Sequence, residues 1–143
     1  MGREPAELIR TVFAGVIDGG RYELLPELFT EDFVDHSVMG DNVGYDGFVA
    51  FLGMFRTALP GFRHEVIDVM PIGDERYVWV VHVLATFDGE MMGVTGSGQP
   101  IDVHASNACR LRDGRVAEHW GPGPETMGAI LSQMGISLDA IPV

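Results

Sequence analysis

Four side chains in this sequence combine acid–base or hydrogen-bonding chemistry with an apolar setting: Asp35, Asn107, Cys109 and His119. Asp35 lies in LFTEDFVDH (28–36), where strand periodicity puts Phe33, Asp35 and Ser37 on one face and Val34 and His36 on the other. A carboxyl group facing an apolar cavity is disfavoured as the anion, which suits a general base working near neutrality. On a solvated face the same residue would cap a turn or pair with a cation. Val103, Ala105, Asn107, Cys109 and Leu111 alternate with more polar neighbours, so Asn107 is a lone amide on an apolar face. It requires partners, either backbone groups or a substrate carbonyl. Cys109 on that face reads as a small core residue rather than a nucleophile. His119 shares a face with Gly121, where an imidazole can serve as acid or base or hydrogen-bond Asp35. Glu118 and Trp120 take the opposite face of a regular strand, and a bulge would exchange these roles and bring Trp120 inward.

The elements that must position these groups follow from periodicity. Leu8, Ile9, Val12, Phe13, Val16 and Ile17 form one helical stripe after Pro5, ended by Gly19-Gly20. A short second helix spans Tyr22 to Phe29 and passes into an extended segment, Asp32 to Ser37. Asp46 is expected to cap a third helix with Phe48, Phe51, Leu52 and Phe55 inward, terminated at Pro60-Gly61. From Phe62 the period changes to that of strands: Phe62–Ile72, Tyr77–Phe87, Ile101–Leu111 and Arg115–Trp120, the last two joined by Asp113-Gly114. Trp79, Val81, Val83 and Ala85 are the inner face of the second of these, leaving His82, His104 and Ser106 outside. The loop DGEMMGVTGSGQP (88–100) is longer than a hairpin needs, and its four glycines suggest a mobile rim. A last helix holds Met127, Ile130, Leu131 and Met134. Helices followed by a meander of strands predict an α+β domain, with helices on one face of a curved antiparallel sheet.

At 143 residues and 46% hydrophobic composition the chain reads as a single domain over 1–143 with a substantial core. A formal charge of −12 repels phosphate backbones and anionic surfaces, so neither nucleic acid nor a membrane is an expected partner. No apolar run approaches a membrane span, and MGREPAELIR lacks the apolar core of an export signal. Although Met1-Gly2 opens the chain, Ala6 stands where N-myristoylation prefers Ser or Thr. One cysteine forms no internal disulfide, which fits a reducing cytoplasm. Asp35, His104 and His119 would make a two-His, one-carboxylate metal set, yet no HxH or HExxH spacing supports it. No glycine-rich nucleotide fingerprint or nucleophile elbow is present, and no cofactor is expected.

RLRDGRVAEHW (110–120), together with LFTEDFVDH, resembles the SnoaL-like polyketide cyclases, members of the larger group built like nuclear transport factor two and ketosteroid isomerase. The resemblance runs through nearly the whole chain. It implies a sheet wrapped around the N-terminal helices into a cone with an internal pocket, and a homodimer formed on the outer sheet face. It aims Asp35 and Ser37 into the pocket, makes the Asn107 face the inner one, and keeps His36 in play as a ligand-orienting group. Asp35, Asn107 and His119 are then the catalytic candidates. Phe33, Ser37, Trp79 and Val81 are expected to touch substrate, as are Val83, Ala105, Cys109 and Trp120. The resembling cyclases and epoxide hydrolases carry a proton-shuttling Asp where this chain has Gly121, and Val16 and Gly53 replace other polar positions of the anthracycline-type enzymes. The implied function is closure of a ring in a hydrophobic polyketide or polyketide–peptide hybrid, mainly by preorganising the substrate. Epoxide opening, isomerisation and ligand carriage are the alternatives for the same cone.

Overall fold

The computed structural model describes residues 3–137; Met1 and Gly2, on which the acylation reading turns, lie outside them. Helix α1 (Pro5–Thr11) begins where the Glu4 carboxylate accepts from the Ala6 and Glu7 amides. It continues without a break into a π-helical segment, Val12–Asp18, so the stripe from Leu8 to Ile17 is buried as one face. A 3₁₀ turn (Tyr22–Leu24) and helix α2 (Leu25–Leu28) lead into strand β1 (Phe29–Ser37). Next comes β2 (Gly40–Val43), which sequence periodicity does not reveal because GDNV is short, polar and mostly exposed. Helix α3 (Gly44–Ala58) starts from Val43, so Asp46 is not its cap. Asp46 sits in the first turn, where a negative charge still favours the helix dipole.

The remaining elements are β3 (Arg63–Gly73), β4 (Arg76–Phe87), β5 (Glu90–Met91), β6 (Val94–Thr95), β7 (Gln99–Arg112), β8 (Arg115–Trp120) and α4 (Pro124–Gln133). Six strands make one curved, unclosed sheet in the order β2-β1-β8-β7-β4-β3. Every neighbouring pair is antiparallel except β1 and β8, which run parallel. The fold is α+β, with the core between the helices and the concave sheet face.

The segment 88–100 contains two short strands. β5 and β6 pair as a small hairpin, and Met91 is buried. A Cβ at Gly89 would lie 2.0 Å from the Thr57 carbonyl oxygen and one at Gly96 2.1 Å from that of Phe87. Backbone approaches backbone there, and these two glycines permit the contact. No described helix is long and apolar enough to cross a membrane.

Candidate active site

The concave face encloses a cavity of about 720 Å³ of atom-free space, its open mouth included. Its wall is apolar apart from Asp35, His64, Asn107 and His119. Parallel pairing of β1 with β8 sets Asp35 level with His119, and the β7–β8 ladder sets His119 beside Cys109, two residues from Asn107. The three polar side chains meet. His119 Nδ1 lies 2.6 Å from Asp35 Oδ1, and His119 Nε2 lies 2.8 Å from Asn107 Oδ1. Asn42 Nδ2, from β2, donates to the other Asp35 oxygen at 3.2 Å. Asp35 is 2% exposed and Asn107 4%.

Asn107 Nδ2 is buried with no partner among the described residues. Turned the other way, the amide would donate to His119 Nε2 and leave its oxygen alone. In either orientation both imidazole nitrogens are engaged and half of the amide is unsatisfied. A second buried donor without a partner among the described residues, Trp79 Nε1, belongs to the residue paired with Asn107 across the β4–β7 ladder. Leaving such donors unpaired is costly, and of the two residues Asn107 is the one that lines the cavity.

Val81, Val83 and Ala105 line the cavity as the alternation predicts. Four other expected contacts do not line it. Phe33 is fully buried among Phe29, Phe48 and Tyr45. Ser37 is near the end of β1, where its hydroxyl accepts from the Met39 amide. Trp79 borders a smaller adjoining space with Phe13 and His119. Cys109 is 1% exposed in the core, and burial pushes its thiol up to about 12, which leaves no thiolate for nucleophilic chemistry.

Trp120 does not line the cavity either. The β7–β8 irregularity falls at Arg110/Leu111, before the end of the strand, so it does not turn Trp120 inward. Trp120 is 38% exposed and stacks on His36, with centroids 5.1 Å apart. His36 is held outside the cavity by Asp41 (3.1 Å) and Glu118 (2.9 Å). The Glu118 hydrogen bond raises the His36 pKa, while His36 and Arg110 lower that of Glu118. This is a structural histidine. His82 and His104 also lie on the outer sheet face, stacked with centroids 4.4 Å apart, and His82 is 2.7 Å from Asp102.

Gly121 borders the cavity at φ +115°, and a Cβ there would lie 2.6 Å from the Ser106 carbonyl oxygen and 3.1 Å from Asn107 Oδ1. The position is therefore closed to a side chain, and Asn107 occupies the neighbouring space. Sequence reading missed Asp18 and His64, which are joined by a 2.7 Å contact. The available signal was an Asp at a helix end before Gly19-Gly20 and a histidine in an amphipathic strand; only the tertiary fold joins them.

A curved, open sheet wrapped on helices around an internal cavity defines the ketosteroid isomerase-like class of α+β proteins. Within it, the chain belongs to the SnoaL-like polyketide cyclase family, whose model matches residues 7–123. The structure is similar to IdmH from Streptomyces antibioticus, described as a candidate polyketide cyclase (26% identity, 94% of this chain and 100% of that one, TM-score 0.77). It is also similar to AclR, a candidate hydroxylase from Streptomyces galilaeus (26% identity, 91% and 83% covered, TM-score 0.74). A Catenulispora acidiphila protein with a ketosteroid isomerase-like fold shares the architecture alone (15% identity, 95% and 98% covered, TM-score 0.72). No curated protein matches the sequence.

Proposed function

We propose that this protein closes a ring in a hydrophobic polyketide or polyketide–peptide hybrid, chiefly by folding the flexible chain into a reactive shape inside the apolar cavity. The observation that carries this reading is the Asn107 amide, half unsatisfied and buried in an otherwise apolar wall beside the Asp35–His119 pair. Such a wall selects an apolar ligand, and the lone amide anchors one of its oxygens. When both reacting ends belong to one molecule, holding them together supplies much of the rate enhancement. With both His119 nitrogens occupied and no side chain possible at Gly121, proton traffic at this end of the cavity is limited. A ring closure by conjugate addition or a pericyclic step needs less of it than an aldol reaction.

The test is turnover of linear polyketide thioesters bearing a conjugated alkene, followed by mass spectrometry with chromatographic separation of the isomeric product. Asp35→Asn and His119→Ala are each expected to reduce the rate by less than about 100-fold, below the range for losing a principal general acid or base. A loss of about 1,000-fold or more in a folded Asp35→Asn protein makes that carboxyl the main base. Tight binding without conversion makes the protein a carrier.

We also propose a homodimer formed on the outer sheet face. Val78, Val80, Leu84 and Ile67 lie there half-buried on the side away from the core, and Met70 and Ile72 are exposed at 49% and 59%. An antiparallel sheet covered by helices on one side leaves such a surface in need of a partner. Light scattering at micromolar concentration is expected to give twice the chain mass of 15.6 kDa; a single-chain mass refutes the dimer.

A further inference from the structure

We propose that His64, held by Asp18, is a catalytic base of this cavity, taking a proton from the bound chain through its free Nε2. The inference rests on the cavity being the place of ring closure. Asp18 ends the π-helical segment and His64 is the second residue of β3, an edge strand. Asp18 Oδ2 accepts from the His64 backbone N–H at 2.8 Å, while Oδ1 lies 2.7 Å from His64 Nδ1. A carboxylate that already receives one N–H accepts from Nδ1 as well, which fixes the tautomer with hydrogen on Nδ1 and the lone pair on Nε2. A base oriented by a third group in this way is the recurrent arrangement for proton abstraction.

The surroundings hold that geometry. Arg56 Nη1 donates to the carbonyls of Ile17 and Asp18, each at 2.9 Å, and so pins the chain on which the carboxylate is carried. The Phe13 and Phe62 rings flank the imidazole at 5.3 and 5.2 Å between centroids. The His64 and Asp18 side chains are 12% and 17% exposed. Nε2 has no hydrogen-bond partner among the described residues.

The other titratable groups of the cavity wall are less free. Both nitrogens of His119 are engaged, and each oxygen of Asp35 has a partner. A chain of ring contacts runs from His64 through Phe13 and Trp79 to His119, with centroid steps of 5.3, 6.0 and 5.8 Å. In this reading Asn107 anchors one part of a long substrate, and His64 does chemistry on another. In the step assigned here, Nε2 takes the proton of a carbon next to a carbonyl. The electron pair left on that carbon forms the ring bond to the far carbon of a conjugated alkene, whose π electrons move towards its carbonyl. The resulting enolate carbon takes the proton back from the imidazolium. Product and substrate are isomers, and nothing is oxidised or reduced.

5-Nitrobenzisoxazole tests the base without the natural substrate. Its C–H proton passes to the base, the electron pair forms the nitrile, the N–O bond breaks, and a coloured nitrophenolate leaves. The wild-type protein is expected to outpace an equal concentration of free imidazole. His64→Asn keeps an N–H for Asp18 but has no basic nitrogen, and should lower the rate by at least about tenfold. External imidazole should restore His64→Ala, and His82→Asn on the outer face should match wild type. Saturation-transfer NMR reports binding separately. A bound probe that His64→Asn eliminates as fast as wild type, or that wild type eliminates no faster than imidazole, overturns the base and leaves the cavity reading standing. A probe that does not bind removes the cavity reading and the base together. Should the variants not fold, acylation of His64 in the wild-type protein by diethyl pyrocarbonate serves instead: elimination lost in step with His64 modification upholds the base, and elimination retained refutes it.

Discussion

Ala105→Trp is expected to lower turnover by about 100-fold or more while the protein still folds. Ala105 is 2% exposed, lines the cavity, is paired with Val81 on β4, and precedes Asn107 on the same face of β7. An indole there enters the space a ligand needs beside the amide, and displacing a reacting group by about 1 Å already costs on that scale. Because the side chain enters open volume, the stability cost should stay within the roughly 1–3 kcal/mol of moderate overpacking. Steady-state rates beside urea denaturation check both halves. Full activity in the variant would mean the ligand binds elsewhere.

Gly121→Asp is expected to destabilise the fold by about 3–5 kcal/mol and to bring no new activity. The substitution would install the acid found in the resembling cyclases, but the backbone is in a conformation that L side chains rarely adopt. The new Cβ would also press on the Ser106 carbonyl, which cannot rotate away. Any shift that relieves this contact moves Asn107, and with it the acceptor of His119 Nε2. A urea midpoint unchanged from wild type would show that the end of β8 relaxes to accept a side chain.

Asp35, Asn107 and His119 were legible because strand alternation assigns a face without any tertiary knowledge, and the family resemblance chose which face is inward. The same reasoning over-reached at Phe33 and Cys109: facing inward is not the same as reaching the cavity, and both are spent on the core. At Trp120 the chance of a bulge outweighed the alternation, and the irregularity lies elsewhere in the ladder. The strand β2 escaped notice since GDNV carries no apolar period, yet it supplies Asn42 to Asp35. Asp18 and His64 stand 46 positions apart on a helix end and an edge strand, a pairing that depends on how the helix lies across the sheet. At 88–100 glycine content alone does not reveal that Gly89 and Gly96 serve close backbone packing.

The parallel pairing of β1 with β8 joins segments more than 80 residues apart, and it is fastened on both faces. Inside, Asp35 meets His119; outside, His36 meets Glu118, itself held by Arg110. Sliding one strand by a single residue would set Asp35 against Glu118, two carboxylates, or against Trp120, and would turn the outer ion pairs into the apolar interior. The two clasps therefore close together or not at all. The Asp35–His119 pair that borders the cavity is also half of the mechanism by which the chain recognises that its first and last strands have met in the right register.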